Sequence, residues 1–309
     1  MTALATSPRL TVRLPEAVDE SFQALGTDVR LIAAGRGAGT AVARARAEIL
    51  DYHARLSRFL PESELSTLNA DSRQVVPASS LLRSAVRAAL HAARGSGGLV
   101  DPCLLEALEA AGYERSFRQD AAVPPPCGPR RSAQADPAKH WLSIAVDDEE
   151  RTIARPAGLR MDLGGSGKGH VADLVTRHFD GLRTWVVDCG GDIRVGGARE
   201  IQIAHPLQPY PAAVLEVRDG AVATSSVVAR AWHTSDGRRA HHLLDPASGE
   251  PAWSGLLTAT ALAPTTLHAE TLAKVALLRG PHGARAVLKR HGGVIVHDGG
   301  DVERIGELR

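Results

Sequence analysis

The chain has 309 residues, 44% of them hydrophobic and 23% charged, with a formal net charge of +1 when histidine is neutral. That balance suits a globular protein with a full core and excludes a general nucleic-acid surface, which needs a basic excess or stripe. No run approaches the roughly 18 consecutive apolar residues of a membrane span, so no span is expected.

In chain order, residues 1–20 read as a loose tail. Met1–Glu16 is polar, is broken by Pro8 and Pro15, has no basic start leading into an apolar run, and holds no cysteine for a lipid; a cytoplasmic location is expected. Residues 21–309 read as the folded unit. Phe22–Ala33 suggests a strand region around Leu25-Gly26-Thr27-Asp28, and Gly35–Gly39 a turn. Thr40–Arg58 is helical, with Val42, Ile49, Leu50 and Leu56 on one face. A short helix follows through Leu65 and Leu68, then a strong one over Ser79–Arg94 stopped by Gly95–Gly98, then a third over Cys103–Ala111. Prolines crowd the stretch at about 118–138, which predicts a surface loop or a link between two halves.

The second half is strand-rich. Trp141–Val146 and Thr152–Ala154 flank an acidic turn and predict a hairpin. Glycines after Leu163 lead into a helix over His170–Phe179. Strands are expected at Thr184–Val187, at Ile193 and Val195, at Val214–Val217, at Ala221–Thr224 and at Val294–His297, with a helix over Glu270–Arg279 stopped by Gly280. There is no internal repeat, and the order of elements predicts an α+β domain. Cys103, Cys127 and Cys189 lie far apart without a CxxC pair, so each reads as a small buried or incidental residue and not as a zinc ligand.

Four stretches could carry chemistry. Met161–His170 places four glycines within six positions before a helix. Such backbone lets a ligand approach closely and offers N–H groups to phosphate, with Lys168 as a cation and Asp162 as an acceptor; a structural strand-to-helix turn is the equal alternative. Asp188-Cys189-Gly190-Gly191-Asp192 reads better as a tight strand connection. In His241–Gly249, His242 could be a general base, or a surface or capping histidine. Glu270 and Lys274 are spaced i,i+4, either as an intrahelical ion pair or with Glu270 as an oxygen ligand for Mg²⁺.

Taken together and in order, these pieces resemble the ApbE family. The resemblance rests on Leu25-Gly26-Thr27; Leu56-Ser57-Arg58-Phe59 with Ser63-Glu64-Leu65-Ser66 and Asn69; Gly97–Pro102; Asp162–Gly165 with Lys168-Gly169; Gly190-Gly191-Asp192; Ala223-Thr224-Ser225; and His242–Pro246 with Gly249. It implies a single compact domain of mixed sheets and flanking helices, with a flavin cleft between two halves. The implied reaction is that of an FAD:protein FMN transferase, which splits the FAD pyrophosphate, attaches FMN to a threonine of an acceptor flavoprotein and releases AMP. An FAD pyrophosphatase, or an FAD-binding protein without turnover, are the alternatives.

By position, the resemblance implies that Leu25, Phe59, Leu99, Val100, Asp101, Asp162, Lys168 and Leu244 contact the nucleotide, and that His242 is the base. It also implies that Gly165, Glu270 and the position of Lys274 form a Mg²⁺ site. Here the chain departs from the family: Glu270 stands where Asp is usual, Lys274 where Thr is usual, Ala273 where an acidic residue is sometimes found, and Leu25 where Met is usual. A protonated ammonium cannot ligate a metal, so Lys274 is expected to take the metal's place beside Glu270.

Overall fold

The computed structural model describes residues 17–116, 129–234 and 236–307. Pro124–Pro126 and Cys127 fall outside that range. The described chain opens with β1 (Ala17–Ala24) and β2 (Thr27–Ala34), paired residue for residue. Leu25 and Gly26 form the two-residue turn between them, both at positive φ (57° and 67°). Such turns match the twist of antiparallel strands. Residues 17–20, expected as tail, are therefore strand.

Helices α1 (Ala38–Leu56), α2 (Glu64–Ala70), α3 (Ser80–Ser96) and α4 (Leu105–Ala110) follow, with the short strand β3 (Val75–Pro77) between α2 and α3. Gly95 is helical; the stop is Gly97, left-handed at φ 67°. The expected hairpin forms as β4 (Ala145–Asp147) and β5 (Thr152–Ala154), but His140–Ser143 is a 3-10 turn that buries Trp141, and β3 joins the pair in the order β3-β5-β4. Helix α5 (Gly167–Leu174) starts earlier than expected and tightens to a 3-10 turn over Val175–Phe179.

Next come β6 (Thr184–Cys189), β7 (Asp192–Gly196), β8 (Ala198–Ala204), β9 (Pro211–Arg218), β10 (Ala221–Ser226), β11 (Ala231–His233), β12 (Arg239–His241) and β13 (Leu256–Ala263). Helix α6 (Thr266–Leu288) precedes β14 (Gly293–His297) and β15 (Val302–Ile305). Gly280 interrupts α6 as expected, at φ 72° and ψ −176°, but helical turns resume at once. Pro281 opens the second segment, where its missing N–H costs nothing.

Eight strands form one sheet in the order β1-β2-β6-β7-β10-β13-β14-β15, with every neighbouring pair antiparallel. One face carries the helices. Leu31, Val187 and Cys189 pack there with Ile49 of α1 and Val171 of α5, while α6 lies on β10 and β13. The other face is roofed by the β8–β9 hairpin, whose Ile201, Leu215 and Val217 meet Ile32, Val195 and Val222. With both faces covered, central strands lose the alternation of a half-exposed sheet. All eight residues of β13 are buried. No helix among the described residues is long and apolar enough to cross a membrane.

Candidate functional site

A cleft of about 410 Å³ opens between the helical half and the segments flanking β11–β13. Leu25, Phe59, Leu99, Val100 and Asp101 line one part of its wall. Asp162, Gly165, Lys168, His242, Leu244 and Lys274 line the rest. Of the residues singled out from the sequence, Glu270 alone stands behind the wall, where it touches Lys274 and Gly169.

The depth of the cleft is set by the contact of α5 with α6. Asp173, near the end of α5, accepts the N–H groups of Thr266 (2.8 Å) and Leu267 (2.9 Å) and so caps α6. One turn on, Glu270 Oε2 accepts the Gly169 N–H at 2.9 Å, and Glu270 Oε1 accepts from Lys274 Nζ at 2.8 Å. Lys168 Nζ pairs with Asp192 Oδ2 at 2.5 Å. Two ammonium groups, one from each helix, therefore reach the same cleft. Burial works against the charge on Lys168, but the carboxylates of Asp192 and Glu270 outweigh it and hold its pKa above the usual lysine value. Burial pushes the Glu270 carboxyl up, opposed chiefly by Lys274. The Asp188–Asp192 turn is the tight β6–β7 connection expected of it, and Asp192 adds the anchor for Lys168.

Asp162 is held from three sides. Its N–H donates to Pro102 O (2.8 Å), its Oδ1 accepts from Gly164 N (2.7 Å), and its Oδ2 pairs with Arg58 Nε (2.5 Å). Asn69 clamps the neighbouring residue, donating to Met161 O and accepting from Met161 N, both at 2.8 Å. Arg58 lies over the rings of Phe59 (4.1 Å) and Tyr113 (4.7 Å) and donates to Tyr113 O. Tyr113 in turn stacks on Trp232 at 5.4 Å. The result is a preformed aromatic and guanidinium wall suited to a flat ring. Asp101 caps the turn below, accepting from Cys103 N at 2.8 Å, and burial raises its pKa.

The two adjacent histidines divide their roles. His241 is structural: its Nε2 lies 2.8 Å from Ala252 O and its Nδ1 accepts from Leu243 N. His242 lines the cleft, and among the described residues its buried Nδ1 has no hydrogen-bond partner. Burial, followed by the nearby cations Arg230, Lys274 and Lys168, drives its pKa well below the ordinary histidine value. At neutral pH it carries a free lone pair.

The residues present do not fit a divalent cation. Both Glu270 oxygens are committed, to an ammonium and to a backbone N–H, and Lys274 offers no lone pair while protonated. Mg²⁺ needs near-octahedral oxygen ligands, and among the described residues no group of three or more His, Cys, Asp or Glu could hold a metal.

Arg58, Tyr113 and Arg230 are among the cleft residues that escaped the sequence reading as site residues. Arg58 sat inside a quoted motif beside Phe59, and that adjacency was its signal. Tyr113 and Arg230 carry no local pattern. Arg230 enters the cleft between Gly26 O (3.3 Å) and Tyr113 Oη (3.5 Å). Cys103 is half-buried and Cys189 buried, both as free thiols.

The fold has known counterparts. In solved structures, an ApbE protein from Thermotoga maritima superposes with a TM-score of 0.79 at 24% identity, over 94% of this chain and 97% of that one. The flavin transferase ApbE from Vibrio cholerae gives a TM-score of 0.73 at 20% identity over the same shares. In sequence, the FAD:protein FMN transferase of Treponema pallidum is 30% identical over 265 residues, covering 77% of this chain and 71% of that protein. The Escherichia coli K12 enzyme of that name is 29% identical over 144 residues, 43% of this chain and 41% of that one. Residues 25–296 match the model of the ApbE family, a span that takes in every wall of the cleft; the chain belongs to the ApbE family.

Proposed function

We propose that this chain is a flavin transferase that cleaves FAD at its pyrophosphate, attaches the FMN half to a threonine of an acceptor flavoprotein and releases AMP. The observation that carries this reading is one cleft holding a glycine turn, two ammonium groups, an aromatic wall and a histidine with a free, buried Nδ1.

The isoalloxazine ring lies on the apolar and aromatic wall, and the phosphates lie over the glycine turn and the lysines. A threonine hydroxyl is a weak nucleophile at neutral pH and needs a base. His242, kept neutral by burial and by the cations around it, takes the hydroxyl proton on a ring nitrogen. The oxygen then bonds to the FMN-side phosphorus. The bond from that phosphorus to the bridging oxygen breaks, and the electron pair leaves with AMP. Negative charge grows on the phosphates along this path, so fixed cations there lower the barrier.

The test is incubation of the protein with FAD and a candidate acceptor domain containing threonine. Flavin that stays on the acceptor through denaturation means transfer. Free FMN with AMP means water took the place of the hydroxyl, and unchanged FAD means binding alone.

A further inference from the structure

We infer that the pyrophosphate of the flavin dinucleotide is neutralised in this chain by fixed side-chain cations, Lys274 with Lys168 and Arg230, in place of a divalent metal ion. The inference rests on the proposed function, because it concerns the same phosphates.

The ion pairs are polarised toward the cleft. Lys274 and Lys168 keep 11% and 18% of their side chains exposed, whereas their partners Glu270 and Asp192 keep 1% and 2%. A ligand in the cleft therefore meets the ammonium ends, and the carboxylates act from behind, fixing where each ammonium stands. Both Glu270 oxygens already accept a hydrogen bond, one of them from the Lys274 ammonium that faces the cleft. Arg230 adds a guanidinium whose partners at Gly26 and Tyr113 are uncharged. Among the groups lining the cleft, five Lys and Arg side chains outnumber three carboxylates, so these cations favour a diphosphate over a free divalent ion. They also stay in place during the reaction, so no charge has to reorganise as the bridging oxygen leaves with the electron pair of the broken phosphorus–oxygen bond.

The experiment pairs FAD binding with flavin transfer, each in metal-stripped buffer with EDTA and in excess Mg²⁺. FAD affinity, read by flavin fluorescence, is expected to be the same in both buffers, and so is the transfer rate. Titration calorimetry of Mg²⁺ into the FAD complex is expected to show no site. Lys274→Met is expected to weaken FAD binding and to slow transfer by roughly 100-fold, the size of losing one preorganised charge. Glu270→Gln/Lys274→Met removes both charges, so that no buried carboxylate is stranded and a folded protein can be compared. Loss of FAD binding or transfer in EDTA, restored by Mg²⁺, overturns the inference, as does a double variant that binds FAD like the wild type. Absence of flavinylation in every buffer would instead refute the transferase reading, and the FAD titrations would still decide the cation question.

Discussion

Gly169 lies so close to α6 that a Cβ on it would stand 2.7 Å from Leu267 Cα and 2.8 Å from Glu270 Oε2. The crossing that brings the two lysines together is built on a missing side chain. Gly169→Ala is expected to force the helices apart, at about 1–3 kcal/mol for an overpacked core, and to weaken FAD binding. Chemical denaturation and flavin fluorescence check both effects; unchanged stability would mean that α6 shifts without cost.

Removing the charge of Asp162 strands the Arg58 guanidinium in a largely buried pocket. Asp162→Asn is expected to lower stability by roughly 3 kcal/mol, the usual consequence of taking one partner from a buried pair. Adding Arg58→Met should recover part of that loss, because neither charge then remains. Denaturant midpoints of the single and double variants measure the coupling.

His242→Ala is expected to slow flavin transfer by roughly 10²- to 10⁴-fold, the typical contribution of a positioned general base, with FAD affinity little changed. Because its pKa is held well below the ordinary value, the wild-type rate should stay level as pH falls through the normal histidine range and drop only at lower pH. A rate profile that bends at the ordinary histidine pKa would count against His242 as the base.

His170 sits between Tyr52 Oη (3.2 Å, at Nδ1) and Ser84 Oγ (3.1 Å, at Nε2), and burial lowers its pKa to about 4. The folded state keeps this ring neutral while the unfolded chain protonates it at its ordinary value. The unfolded state therefore binds more protons below that value, and stability falls as pH drops toward 4 and levels off beneath it. The full loss from this one group is roughly 3 kcal/mol. His241, also lowered to about 4 by burial, adds in the same direction. Denaturation from pH 7 to 4 is expected to show a shallower slope for His170→Gln than for wild type.

Where a signal was local, the sequence carried it. Glu270 and Lys274 are one helical turn apart, so their ion pair follows from helix geometry, and the glycines at 164–169 announce a turn before a helix. Strand β13, Leu256-Leu257-Thr258-Ala259-Thr260-Ala261-Leu262-Ala263, gave no such signal. Covered on both faces, it has no polar side to set a period of two, and its alanines and leucines suit a helix equally well. The start of β1, Ala17–Ser21, was hidden for a different reason: its Asp19 and Glu20 read as a polar tail, and only pairing with β2 marks it as strand. Arg230 and Tyr113 belong to the cleft solely because distant segments meet there, which no window of neighbouring residues can report.

The antiparallel sheet has a consequence for when this protein becomes competent. Val29 pairs with Cys189, and Leu25 from the first hairpin shares a cleft with Lys274 from the last helix. Pairings so distant along the chain form slowly, and a nascent polypeptide still lacking α6 is without Lys274 and Leu278 in the cleft wall. Flavin capture is thus a late event that reports completed assembly, and cellular FAD, by binding finished molecules alone, draws stragglers toward the native state by mass action.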